Sequence, residues 1–317
     1  MIRDEVGEVV ARCSVLAGLL EVSAYPKPGN VHRLRDKIET KYEHFLAGSV
    51  AIGSAMRDLA LHGYDVQKGD QDWTSLKIGY HIQTAVETMM NWQRGGNVNL
   101  GVILLFAPMA ATAGHVLQKD GHVDVDEFEE AMNTVTRSTD SDDVVAVYKA
   151  IRMALPVNVL GQVEELDILE DSSLKRIKKE RLTLQDVFRR CAQRDSICSE
   201  WVSNFRITLT LGHPYLKEAL MDSDDTNSAI VDTFLRLLSM QPDSLITRKS
   251  GIEKAVEVSE KARHILEEGG TASEVGRELT WSLDEELHSG GGKLNPGTTA
   301  DLTAASIFLT LLEGWRP

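Results

Sequence analysis

The sequence is short of the residues that staple or stiffen small folds. Of 317 residues only 3 are cysteine and 8 proline, and aromatic residues make up 6%. Cys13, Cys191 and Cys198 form no CxxC pair. Their odd number and wide spacing exclude a disulfide framework and suit a reducing compartment. Cys13 falls on the apolar face of a helical pattern and is expected to be a buried, inert thiol. Positive charge is also in deficit: 34 Lys and Arg stand against 48 Asp and Glu, a formal net charge of −14. Such a surface argues against nucleic-acid and anionic-membrane partners. An anionic substrate then needs a local cluster of Lys, Arg or backbone N–H groups with a divalent cation. Residues 1–5 are mostly charged, and no signal-peptide apolar region follows them. The longest apolar run, 100–113, is short and interrupted by Pro108, so no bilayer span is expected. Walker A, GxGxxG, HExxH and kinase signatures are all missing. The location expected on this basis is the cytoplasm.

What the chain does have is an ordinary globular balance, 42% hydrophobic and 26% charged, carried on helical periodicity. Val6, Val10, Cys13, Ala17 and Leu20 make one helix stripe, which must stop near Tyr25 because Pro26 and Pro28 cannot continue it. Similar patterns predict helices over about 42–61, 76–92, 125–135, 142–155, 184–194, 196–211, 215–221, 227–238, 251–268 and 299–313. Residues 100–117 are apolar nearly all round and should form the central buried helix, kinked at Pro108. Thr183 with Asp186, and Thr271 with Glu274, have capping-pair spacing. Residues 164–181 are highly charged and read as a surface excursion. No alternating strand is recognisable. The expected fold is all-α: one compact multi-helix domain over 1–317, with Gly- and Pro-rich turns between helices.

Four such turns carry candidate chemistry. The first contains Pro26-Lys27-Pro28-Gly29-Asn30, where stiff prolines and a permissive glycine fix the directions of Lys27 and Asn30, with Arg33 close behind. The second, Gly95-Gly96-Asn97-Val98-Asn99, leads into the buried helix as a glycine-rich anion site would. The third sets Arg248 and Lys249 before Ser250-Gly251. The fourth runs from Gly290 through Lys293 to Asn295-Pro296-Gly297-Thr298-Thr299-Ala300-Asp301. There Thr298 or Thr299 would cap the last helix, and Asp301 in its first turn would at least complement the helix dipole. The acidic groups Asp140, Asp142, Asp143 and Asp222, Asp224, Asp225 lack the DDxxD spacing of isoprenoid synthases, and acidic helix capping explains them.

Taken together, the four turns resemble the triphosphoribosyl-dephospho-CoA synthases, in a divergent, archaeal-like branch. Residues 21–29 match the family's segment ending in Pro-Lys-Pro-Gly, and 296–305 match its Pro-Gly-Gly-Ser-Ala-Asp-Leu-Leu-Ala-Ala segment. Order and separation are kept across nearly the whole chain. Between these segments the chain departs from the family. Arg35-Asp36-Lys37 replaces an Asn-Gly-Ala-His-x-Asp-Met-Asp pattern, Asn99-Leu100 replaces a His-Lys pair, and Lys249-Ser250 replaces a Gly-Gly. The resemblance implies transfer of the 5-triphosphoribosyl group of ATP onto the 2′-hydroxyl of dephospho-CoA, with release of adenine. Such glycosyl transfer needs carboxylates near the reacting carbon, a donor for the base and charge balance for the triphosphate. Phosphate and substrate contacts are expected from Lys27, Asn30, Arg33, Asn97, Asn99, Arg248, Lys293, Thr298 and Thr299. Acid–base work is expected from Glu21, Glu43 and Asp301, and Mg²⁺ ligation from Asp301 and Asp36. Alanine at Lys27 or Asp301 should abolish activity and leave the helical CD spectrum unchanged. A related ATP-using transferase with another acceptor, or a non-catalytic nucleotide-binding protein, remains an alternative. Leftover apolar helix surface makes a homodimer possible.

Overall fold

Hydrophobic stripes at helical spacing become helices nearly everywhere the sequence carries them. The computed structural model describes residues 1–120, 122–155, 166–222 and 225–317. The first helices are α1 (Arg3–Ser23), α2 (Tyr42–Ala51), α3 (Gly53–Lys68), α4 (Ile78–Trp92), α5 (Leu100–Asp120), α6 (Val125–Arg137) and α7 (Ser141–Ala154). They are followed by α8 (Asp171–Glu180), α9 (Leu184–Cys191), α10 (Ser196–Val202), α11 (His213–Asp222) and α12 (Thr226–Met240). The last are α13 (Ser244–Ser250), α14 (Ile252–Glu267), α15 (Glu274–Ser289) and α16 (Gly297–Leu312). Among the described residues the only β pairing is an isolated bridge between His32 and Arg35, so the fold is all-α.

Two helices are buried almost completely. In α5, Ile103, Leu105, Phe106 and Ala107 are 0% exposed. In α16, every residue from Thr298 to Leu312 except Asp301 is buried. They meet through the Phe106 and Phe308 rings, 4.6 Å apart, and α1 packs against both. Eighteen residues of α5 are long and apolar enough to cross a membrane, despite Pro108, but 89% of that window is buried inside the protein. The run is longer than the sequence reading allowed, and it is the core helix.

Small residues let α3 and α5 cross closely. A Cβ on Gly63 would lie 1.9 Å from the Ala111 carbonyl oxygen, and one on Gly114 would lie 1.9 Å from that of Ala60. Backbone cannot retreat as a side chain can. Gly114→Ala should therefore lower unfolding free energy by about 1–3 kcal/mol, read from urea denaturation. An unchanged midpoint would contradict the crossing.

Several expectations need correction. Residues 42–61 form two helices broken at Ile52 rather than one. The helix expected over 196–211 ends at Val202, where Asn204 and Phe205 turn to φ 59° and 60°. The chain restarts as a π-helical turn, Thr208–Gly212, whose first amides are taken by the Glu200 carboxylate: Ile207 N–H at 2.7 Å and Thr208 N–H at 2.8 Å. Burial raises Glu200 to about 7. Residues 244–250, read as a turn, form α13, and α15 was signalled only by the capping spacing of Thr271 and Glu274. Ser273, not Thr271, caps α15, while Thr271 hydrogen-bonds Asp232. Cys191 and Cys198 are joined in a disulfide, against the expectation of free thiols, whereas Cys13 is free and buried as expected.

Asp140 caps α7, Thr183 caps α9 and Asp225 caps α12, as their positions suggested. Asp224 lies outside the described residues. So do 164–165 of the charged segment, whose remainder contains α8, anchored by buried Ile177.

Candidate active site

The first turn is held rigidly and from several sides. After the cis Tyr25–Pro26 peptide, Gly29 takes φ 73°, and a Cβ there would meet Leu287 Cβ at 2.7 Å. No other residue fits this bend. Its amide donates to Asp284 Oδ1 at 3.0 Å. Asn30 is buried; its Oδ1 accepts from the Val31 amide at 2.7 Å and its Nδ2 donates to the Pro296 carbonyl at 3.5 Å, tying the first turn to the fourth. Asp284, 0% exposed, also faces His32 Nε2 at 3.3 Å, His288 Nδ1 at 3.0 Å and the Arg35 guanidinium at 3.6 Å. Burial alone would raise this carboxyl, but its bonds to His288 and His32 hold it well below the usual carboxylate range.

Behind the turn lies a buried charge cluster. Lys27 is 0% exposed, paired with the Glu21 carboxylate and donating to the Glu21 carbonyl at 2.8 Å. Burial raises Glu21 and lowers Lys27, against their mutual attraction. Asp301 sits close by, in the second turn of α16. The helix N-cap is Pro296, so neither Thr298 nor Thr299 caps it and Asp301 lies too deep for the helix start to explain it. Thr299 instead donates through its amide and hydroxyl to Asp243 Oδ2, both at 2.8 Å, and the Thr298 hydroxyl bonds Ser244 at 3.0 Å. Gly101 leaves room for the Asp301 carboxylate; a Cβ there would lie 2.0 Å from Oδ2. Burial raises Asp301 well above the usual carboxylate range, and Glu21, Asp243 and Asp195 push the same way, with Lys27 opposing. A carboxyl whose pKa is raised by burial is suited to donate a proton.

This cluster opens onto a cavity of about 1620 Å³. Single small-molecule sites usually occupy about 300–1,000 Å³, so there is room for two nucleotide-sized ligands. All four turns contribute to its wall. Of the expected site residues, Glu21, Asn30, Asp36, Asn97, Asn99, Arg248, Thr298 and Asp301 line it. Lys249, the partner of Arg248 in the third turn, also lines it, as do Arg35, Lys37, Arg190 and Arg194, to which the sequence assigned no role. Burial, with Lys249 and Lys27 nearby, pushes Lys37 down to about 7. The acidic chain thus concentrates its cations here. An apolar stretch including Val102, Leu104, Val147, Ile151 and Phe188 forms the rest of the wall.

Other candidates lie elsewhere. Lys27 is behind the wall. Arg33 stacks 4.3 Å over the Tyr25 ring and bonds Asn227, outside the cavity. Glu43 and Lys293 are exposed and do not line it. In the fourth turn it is the backbone of Gly291 and Gly292 that faces the cavity. Asn97 accepts from the Leu100 amide at 3.0 Å, capping α5. With its amide turned to satisfy both neighbours, Asn99 accepts from the Ser49 amide and hydroxyl and donates to Val98. Asp36 accepts from the Tyr42 amide at 2.8 Å. Among the described residues no three His, Cys, Asp or Glu side chains converge to hold a metal ion.

The chain is similar to proteins of known family. A Klebsiella pneumoniae 2-(5″-triphosphoribosyl)-3′-dephosphocoenzyme-A synthase is 21% identical over 97% of this chain and 90% of its own length. A Salmonella gallinarum protein named a probable enzyme of that type is 32% identical over 42% of this chain; the match spans 43% of that relative's length. A crystal structure from Archaeoglobus fulgidus, provisionally named a triphosphoribosyl-dephospho-CoA synthase, superposes with a TM-score of 0.62 and 27% identity, covering 86% of this chain and all of the other. The family model for ATP:dephospho-CoA triphosphoribosyl transferase matches residues 7–317, and the chain belongs to that family.

Proposed function

We propose that the protein is a cytoplasmic, single-domain enzyme that transfers the 5-triphosphoribosyl group of ATP to the 2′-hydroxyl of dephospho-CoA and releases adenine. One observation carries this reading: a single cavity large enough for both substrates joins the buried carboxyl of Asp301, whose hold on its proton burial strengthens, to a cluster of cations. In this reading Lys37, Arg248 and Lys249 take the triphosphate, helped by the backbone of Gly291 and Gly292. Asp301 gives its proton to the departing adenine as the C1′–N bond breaks, so the base leaves neutral. The 2′-hydroxyl oxygen attacks C1′. The apolar stretch of the wall suits the adenine ring or the uncharged arm of the acceptor. Glu21, on the wall, favours the protonated form of Asp301, while Lys27 behind it opposes and holds Glu21 in place.

Mg²⁺ belongs to this scheme as the companion of ATP. An ion carried on a triphosphate needs only one or two protein carboxylates. Of the two ligands expected, Asp36 lines the wall but is committed to the Tyr42 amide, and Asp301 serves as the acid; Glu39 and Asp195 are the wall's other carboxylates besides Glu21. Such a donor set fits a substrate-borne ion and not a resident site.

The test is incubation with ATP, Mg²⁺ and dephospho-CoA, following free adenine by chromatography and the product by mass. Adenine and triphosphoribosylated product in equal amounts are expected. Tight ATP binding without adenine release would overturn the reading in favour of a binding protein. Adenine release only with other acceptors from a metabolite extract would keep the transfer and replace dephospho-CoA.

A further inference from the structure

The Asp284–His288 pair leaves one ring nitrogen of a cavity-lining histidine without a partner. His288 sits in the last turn of α15, one turn after Asp284, and lines the cavity. Its side chain is 8% exposed. Nδ1 lies 3.0 Å from both the Asp284 carboxylate and the Asp284 carbonyl, so this nitrogen carries the hydrogen. Nε2 is buried and has no hydrogen-bond partner in the protein. A buried polar atom without a partner costs stability, and this one belongs to a ring otherwise fixed at its other nitrogen. The helix ends at Ser289, and Gly291 and Gly292 line the cavity with His288.

The groups facing the ring are few. Asp284 is on its own helix. His32, with ring centroids 6.2 Å apart, and Arg35 come from the first turn packed against it. Asp284 is thereby fixed by His32, Arg35 and the Gly29 amide, and it in turn fixes His288. A neutral imidazole whose Nδ1–H is held by a carboxylate presents Nε2 as a base, and the carboxylate then stabilises the imidazolium it becomes.

We propose that His288 is the general base that takes the proton from the acceptor hydroxyl, with Asp284 as its positioning residue. This rests on the transfer reaction proposed above. The acceptor O–H bond breaks, its proton goes to His288 Nε2, and its electron pair forms the new O–C1′ bond. The C1′–N bond pair leaves with adenine, which receives the Asp301 proton. Return of a proton from His288 to Asp301 through water resets the site, so protons balance over the cycle.

The test uses His288→Ala and His288→Gln in the full chain, assayed for adenine and product beside the unaltered protein. Both should lose about 10²-fold or more in kcat, within the usual range for a positioned base, with KM for ATP and dephospho-CoA within a few-fold. The acidic limb of the kcat–pH profile should flatten, and added imidazole should restore part of the rate to the alanine variant only. The glutamine variant keeps the buried volume should alanine fail to fold. A kcat within about twofold of the parent in either variant, or a loss confined to KM for ATP, would overturn the assignment and leave the transfer reaction intact. An unaltered protein that makes no product removes both.

Discussion

Asp301→Asn should lower kcat by about 10²–10⁴-fold, the range for loss of a positioned acid, and at neutral pH should raise the melting temperature. Both effects come from one burial. The folded protein holds the Asp301 proton far more tightly than an open chain does, because burial and the acidic neighbours Glu21, Asp243 and Asp195 outweigh Lys27. Below the ordinary value of 3.8 both states carry the proton and nothing distinguishes them. As pH rises past it, the unfolded chain releases the proton and the folded protein retains it. Stability then falls with pH until the raised folded value is passed. Asparagine does not titrate, so its advantage should open with rising pH. Melting curves between pH 4 and 8 measure this directly. A variant that melts below the parent at pH 8 would mean that the ionised carboxylate stabilises the fold, and Asp301 could not be the acid.

Lys27→Ala should do the opposite and cost about 3–5 kcal/mol of stability, the usual penalty for stranding one half of a buried ion pair. Glu21 would remain 6% exposed with its partner gone. The sequence alone suggested that alanine here would silence a phosphate contact and spare the fold. The structure replaces that expectation, since Lys27 reaches no cavity surface and braces the cluster from behind. The double variant Glu21→Leu, Lys27→Met removes both charges together and should recover most of the loss in urea denaturation, while activity stays low because Asp301 loses its neighbours. A single alanine variant as stable as the parent would refute the pairing.

The helical architecture was legible because its signal is local. A stripe such as Val6, Val10, Cys13 and Ala17 predicts its own burial, and all four are at most 3% exposed. α15 escaped notice because its sequence is crowded with acidic and polar residues, and only Gly276, Thr280, Leu283, Asp284 and Leu287 mark the buried face. Missing that helix also hid His288, since the Asp284 and His288 pairing is visible only once both lie on one helical turn. The four turns were legible because Gly and Pro advertise backbone geometry. Which side chains reach the cavity was not, because that depends on tertiary packing. Lys27 and Lys37 lie ten residues apart, and one is sealed while the other lines the wall. The disulfide was equally hidden. A separation of 7 residues says little until α9 and α10 fold back on each other.

The cavity wall draws residues from within 21–40, 90–104, 147–155, 166–198, 245–249 and 288–301, and α1 packs against α16. A growing polypeptide therefore has no nucleotide pocket until residues near 300 have emerged from the ribosome. Every earlier stage leaves the part of α1 that packs on α16 uncovered, exposed to aggregation or to chaperones. ATP cannot guide the first steps of folding, and it can only reward their completion. A nucleotide-dependent rise in protease resistance would then serve as a gauge of full-length maturation, silent in any fragment that stops before α16.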